Sequence, residues 1–205
     1  MKGAVSQITQ PPSYFNLVFA HRCRVATCHL HHIASVLGLL VAKDYLWSMK
    51  LTILAVGKTT TPYLKSGIDD YIKRAARYMP VQMEVVADVK NASAMPSKQR
   101  KEREGRAILE RLQPGDRLVL LDERGRQLTS TAFARAIETN ANNGIRRMVL
   151  VIGGPFGFSA EVYARADAQI SLSAMTFTHE MVRLFLAEQV YRAMTIIRGE
   201  NYHHD

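Results

Sequence analysis

The sequence predicts an α/β domain: a mostly parallel sheet with helices on both faces. Two observations carry this expectation. Five short apolar runs rich in β-branched residues alternate with segments of helical period, the order that builds βαβ units. Three of those runs lead into loops, "LLDERG", "IGGPFG" and "LSAMTFTHE", at the strand ends where such sheets bind ligands. The bulk properties agree. With 205 residues, 47% of them hydrophobic and 22% charged, the chain can bury a real core and is not disordered.

The first element falls only after a composition shift near Met49. Residues 1–48 hold both cysteines, Cys23 and Cys28, with His21, His29, His31 and His32 close by. The spacing Cys23-x4-Cys28 does not match the usual paired zinc-ligand spacings. The segment therefore reads as an appended N-terminal extension outside the functional domain, which spans 49–205 with Met49 as its start. From there, Lys50 to Val56 predicts a strand. Pro62 to Met79 predicts a helix, with Leu64, Ile68, Tyr71, Ile72, Ala75 and Met79 on one face. Gln82 to Ala87 is a second strand. A charged helix begins at Ser97 as N-cap and stops before Pro114. Arg117 to Asp122 is a third strand and Thr131 to Asn140 a helix. Arg147 to Ile152 is a fourth strand, Ser159 to Ala166 a short helix, Gln169 to Leu172 a fifth strand and His179 to Ile197 a last helix.

Composition narrows the function. The formal net charge is +9, which favours a polyanionic partner, nucleic acid before membrane surface. Lys2, Arg22, Arg24 and Lys43 against Asp44 leave +6 on the domain from residue 49 onward. Two cysteines exclude a disulfide scaffold and fit a reducing cytoplasm. No apolar run reaches the length of a membrane span. Within the basic helix, Glu102, Glu104 and Glu110 intersperse the cations of Lys98 to Arg111, so a solvated face is the simpler reading. A grip on RNA phosphates by that helix and by Lys73, Arg74 and Arg77 is the alternative.

"VIGGPFGFS", Val151 to Ser159, invites a phosphate-loop reading. The spacing is neither G-x-G-x-x-G nor G-x-x-x-x-G-K-[ST], and Pro155 removes an N–H that a phosphate cradle would use. On its own it reads as a tight turn, with Ser159 capping the next helix.

"LTILAVGK", "LLDERG", "VLVIGGPFGF" and "LSAMTFTHEMVRLFLAEQVYRAMTIIRGENYHH" together resemble the RlmH-type ribosomal RNA large subunit methyltransferases, of the SPOUT class. The pieces occur in order from Met49 to the C-terminus. The resemblance implies a C-terminal trefoil knot, which pattern arguments do not reach because knots are otherwise close to absent. It implies a homodimer, S-adenosylmethionine as methyl donor, no metal, and methylation at N3 of a pseudouridine in helix 69 of 23S rRNA in the ribosome. Its cofactor positions fall on Leu121, Gly153, Gly154, Leu172, Ser173, Ala174, Met175, Thr176 and Phe177. The apolar members suit an adenine, and the glycines are expected to let backbone approach the donor closely.

Methyl transfer needs alignment and removal of the N3 proton. The candidates for the second task are His179, Arg183, Tyr202 and His203. A helix-capping role for His179 is an alternative to catalysis. Two other functions stay open at this point: an RNA-binding or ribosome-assembly protein of the same fold without catalysis, and a methyltransferase acting on tRNA.

Overall fold

A computed structural model describes residues 48–87 and 95–202. The expectations for the N-terminal Cys/His segment, and for His203, lie outside the described residues.

Among the described residues ten elements alternate: β1 (Lys50–Val56), α1 (Pro62–Ala75), β2 (Val81–Val86), α2 (Ser97–Leu109), β3 (Arg117–Gln127), α3 (Ser130–Asn142), β4 (Arg147–Ile152), α4 (Ala160–Arg165), β5 (Ala168–Ser171) and α5 (His179–Arg198). The five strands form one sheet in the order β2-β1-β4-β3-β5, and every neighbouring pair is parallel. A parallel sheet needs cover on both faces, and the strands are apolar on both. Leu51, Ile53 and Ala55 of β1 and Met148, Leu150 and Ile152 of β4 face one core, closed by α1, α3 and α5 through residues such as Ala75, Ile137, Leu186 and Val190. Leu54, Val56, Val149 and Val151 face the other, closed by Ile108 of α2 and Phe158 and Val162 around α4. Met49 is fully buried in the first core.

The boundaries differ from expectation where local chemistry intervenes. α1 ends at Ala75 rather than Met79, because Pro80 disfavours helix at the residue before it and residues 76–78 close as turns. α2 starts after Pro96, so Ser97 is the first helical residue and makes no side-chain cap. Ser159 does cap α4, its hydroxyl accepting from the Val162 N–H. At α5 the cap is Thr178, which accepts from the Met181 N–H. The capping alternative for His179 is thereby excluded.

The largest departure is β3, which runs on to Gln127. Leu121 and Arg126 both pair with Ile170 of β5, with a break in register between them. The chain therefore bulges outward over residues 122–125 and returns to the same strand. Gly125 makes this path passable: a Cβ there would lie 2.5 Å from the carbonyl carbon of Ile170.

Candidate functional site

The bulge of β3, the loop after β4 and the loop after β5 meet at the carboxyl edge of the sheet. Between them lies a cavity of about 730 Å³, inside the roughly 300–1,000 Å³ range of small-molecule sites. All nine residues expected to hold a cofactor line it: Leu121, Gly153, Gly154, Leu172, Ser173, Ala174, Met175, Thr176 and Phe177. Leu121 reaches it from the end of β3, and the two glycines leave β4 at its edge. Leu172 lies just past β5 rather than within it. Loop residues 172–177 are held in shape by two local bonds. The Ser171 hydroxyl donates to the Ser173 carbonyl (2.8 Å), and the Met175 N–H donates to the Ser173 hydroxyl (2.9 Å). This leaves Met175 75% exposed and Phe177 against Phe185, ring centroids 4.8 Å apart.

Both glycines line the cavity and are also crowded from within the protein. A Cβ on Gly153 would sit 3.0 Å from the Phe158 ring, and one on Gly154 would sit 2.5 Å from a Glu104 carboxylate oxygen. Neither glycine has positive φ. An added side chain at either position would require Phe158 or Glu104 to shift.

Polar groups that sequence reasoning missed also face the cavity: Asp122, Arg124, Lys101 and Tyr163. Asp122 accepts a short hydrogen bond from the Tyr163 hydroxyl and another from the Arg124 N–H at 2.9 Å. Burial first, then the hydrogen bond to Asp122, pushes the Tyr163 hydroxyl up to about 12. The hydroxyl is the donor of the pair and the Asp122 carboxylate the acceptor. Asp122 comes from the bulge of β3 and Tyr163 from α4, 41 residues on, so no local spacing announced the pair.

The candidates for proton removal are dispersed. His179 is exposed at the first turn of α5 and lines the cavity. Arg183, one turn on, is fully buried and is not among the lining residues. Its guanidinium donates to the Val56 carbonyl (2.7 Å) and to the Thr59 hydroxyl (2.9 Å), so it braces the loop after β1. Glu180 works with it. Its carboxylate accepts from the Thr60 N–H, the Thr60 hydroxyl and the Thr61 N–H, capping α1 from another helix. These bonds hold Glu180 down at about 2.

Tyr202 packs edge-on to Tyr191, lies beneath the Arg192 guanidinium, and is not among the cavity residues. Burial and a hydrogen bond with Tyr71 push its hydroxyl up to about 12. The basic helix α2 is not simply a solvated face: Glu104 is 2% exposed and accepts from Arg100 Nε at 2.7 Å.

A pocket of apolar walls and bare backbone at a register break in a parallel sheet is the setting in which residues 49–203 match the family model described as "Predicted SPOUT methyltransferase". The chain belongs to the SPOUT methyltransferase family. Among curated proteins similar to this SPOUT chain, "Ribosomal RNA large subunit methyltransferase H" of Porphyromonas gingivalis is 49% identical over 157 residues, 77% of this chain and 100% of that one. The proteins of the same name from Parabacteroides distasonis and Bacteroides thetaiotaomicron are each 48% identical over the same shares. A solved structure described as a probable methyltransferase from Bordetella pertussis is similar over 75% of this chain and 98% of that one, at 9% identity and a TM-score of 0.40. Among the described residues of this SPOUT domain, no helix is long and apolar enough to cross a membrane, and no group of three His, Cys, Asp or Glu could hold a metal ion.

Proposed function

We propose that this chain uses S-adenosylmethionine to methylate N3 of a pseudouridine in helix 69 of 23S rRNA, in the assembled ribosome. It would do so as a cytoplasmic homodimer with a knotted C-terminal half. The observation that carries the reading is the convergence of nine cofactor positions, drawn from three separate loops, on one cavity. The names of relatives nearly half identical over the whole domain support the rRNA substrate.

The residues fit the donor. Leu121, Leu172 and Phe177 offer apolar walls for a purine, and the glycine loop offers bare backbone. Asp122 has the acceptor capacity for ribose hydroxyls, the role an acidic residue commonly plays beside a bound nucleoside. When bound, S-adenosylmethionine supplies a sulfonium methyl open to displacement by a nitrogen lone pair. The protein's part is alignment, which can contribute up to roughly 7–11 kcal/mol, and proton removal. His179 lies at the cavity and takes the N3 proton in this reading. Lys101 and Arg124 lie in the same cavity wall and attract the rRNA backbone. Tyr202 and His203 hold the target base in this reading, by stacking and hydrogen bonding.

Met175 is exposed at the cavity, as are Phe177 and Phe185, which touch each other; exposed apolar groups of this kind suit a second copy of the chain.

Calorimetry with S-adenosylmethionine and with its demethylated product is the direct test. Binding of both is expected. Binding of neither removes the enzyme reading and leaves an RNA-binding protein of the same fold. His179→Asn is expected to lower kcat while leaving donor affinity unchanged; an unchanged kcat takes the proton-transfer role away from His179.

A further inference from the structure

The underside of the cavity loop rests on a buried carboxylate: a Cβ on Gly154 would come within 2.5 Å of Glu104 Oε2. α2 meets the Gly153–Ser159 segment through two consecutive residues. Glu104 lies under Gly154, and a Cβ on Gly105 would come within 2.2 Å of the Ser159 hydroxyl oxygen. Arg100, one turn earlier, binds Glu104 Oε1 through Nε and lies over the Phe156 ring, its guanidinium carbon 5.3 Å from the ring centroid. The same helix sends Lys101 into the cavity. Both members of the Arg100–Glu104 pair are well covered, 17% and 2% exposed at the side chain. Glu104 Oε2 has no hydrogen-bond partner among the described residues.

A buried carboxylate with one oxygen unpaired is a costly feature for a core. A surface helix has no need of it for solubility, and an apolar residue would fill the same space. Its position explains it. Glu104 contacts the glycine loop at the residue that lines the cavity, and its partner Arg100 clamps the loop's aromatic tip.

We infer that Glu104, held by Arg100, is a positioning residue for the methyl-donor cavity. It sets the height of the Gly153–Gly157 loop and so the donor's affinity. The inference rests on the donor reading of the cavity. Glu104 itself touches no donor: it is not among the residues that line the cavity, and it acts through Gly154.

The test is a double-mutant cycle between Glu104→Ala and Gly154→Ala, with Glu104→Gln as the isosteric control. Donor affinity is read by calorimetry and folding by thermal melting. Losing one or two hydrogen bonds between the loop backbone and the donor corresponds to a loss of affinity of roughly ten- to a hundredfold. Each alanine variant is therefore expected to weaken donor binding by roughly ten- to a hundredfold at a temperature where it remains folded.

The double variant is expected to bind distinctly better than the two losses combined, because the added methyl then enters the space Glu104 vacates. Glu104→Gln is expected to hold affinity close to wild type, since it keeps the contact with Gly154. Strict additivity means that the donor, not Glu104, needs the space at Gly154, and overturns the inference. Wild-type affinity in Glu104→Ala, with only the melting temperature lowered, makes Glu104 a merely structural residue and also overturns it. If the wild-type protein binds no donor, the donor reading fails, and the cycle is decided by the melting temperatures: non-additivity keeps the Glu104–Gly154 contact, additivity rejects it.

Discussion

Replacing Arg183 by methionine separates a structural brace from a catalytic group. The side chain is fully buried and donates to the Val56 carbonyl and the Thr59 hydroxyl. Hydrogen bonds to charged groups contribute about 1.5–3 kcal/mol each, so their loss alone would cost about 3–6 kcal/mol. Methionine offsets part of this, because burying the guanidinium carries a desolvation penalty of several kcal/mol that an apolar chain avoids. A net loss of about 1–3 kcal/mol remains, the scale of a weakened buried polar group. At about 2–4 °C per kcal/mol for a domain of this size, the melting midpoint falls by roughly 2–12 °C. Arg183→Lys is expected to fall as well, since a lysine cannot span both acceptors with a rigid fork. Melting is followed by circular dichroism, and donor affinity is measured well below both midpoints. The bracing account expects affinity within about twofold of wild type, because the braced loop does not line the cavity. An unchanged midpoint with methyl transfer abolished would refute the argument and return Arg183 to the chemistry.

Glu180→Gln has a pH signature. The folded protein holds this carboxyl at about 2, against an ordinary 4.5. Its stabilisation is therefore fully present above pH 4.5 and is lost as pH falls towards 2. The wild-type advantage over the variant in melting temperature should be flat at neutral pH and shrink across that window; a flat difference down to pH 2 contradicts the capping role. Asp122→Asn is expected to weaken donor binding about tenfold by removing a charged acceptor, and unchanged affinity would take the ribose role away from it. Deleting residues 1–48 is expected to leave a folded, active domain, and loss of folding would assign the extension a part in it.

Much of the architecture is visible in the sequence because each strand is a compact β-branched run and each helix carries its own period. β4 was legible to the residue, Arg147 to Ile152, since "RMVLVI" is apolar throughout and glycine ends it. β3 was cut short because "DERGRQ" looks like a turn; only pairing with Ile170 makes it strand again, and that partner lies more than forty residues on. The cofactor positions were available through the family resemblance rather than through periodicity, which would have left Leu172 and Phe177 as ordinary core. The contact of Glu104 with Gly154 was not legible, because Glu104 sits on a helix whose charge pattern suggested solvent. Arg183 and Glu180 illustrate the same limit. Their i, i+3 spacing places them near one another on α5, but only the tertiary fold brings the loop after β1 to meet them.

The central claim is most directly tested by mass spectrometry of 23S rRNA from a strain lacking this gene, with and without the wild-type gene restored. The account predicts that the methyl on the helix 69 pseudouridine disappears on deletion and returns on complementation. Persistence of that methyl in the deletion strain, or loss of a tRNA methyl in its place, would contradict it.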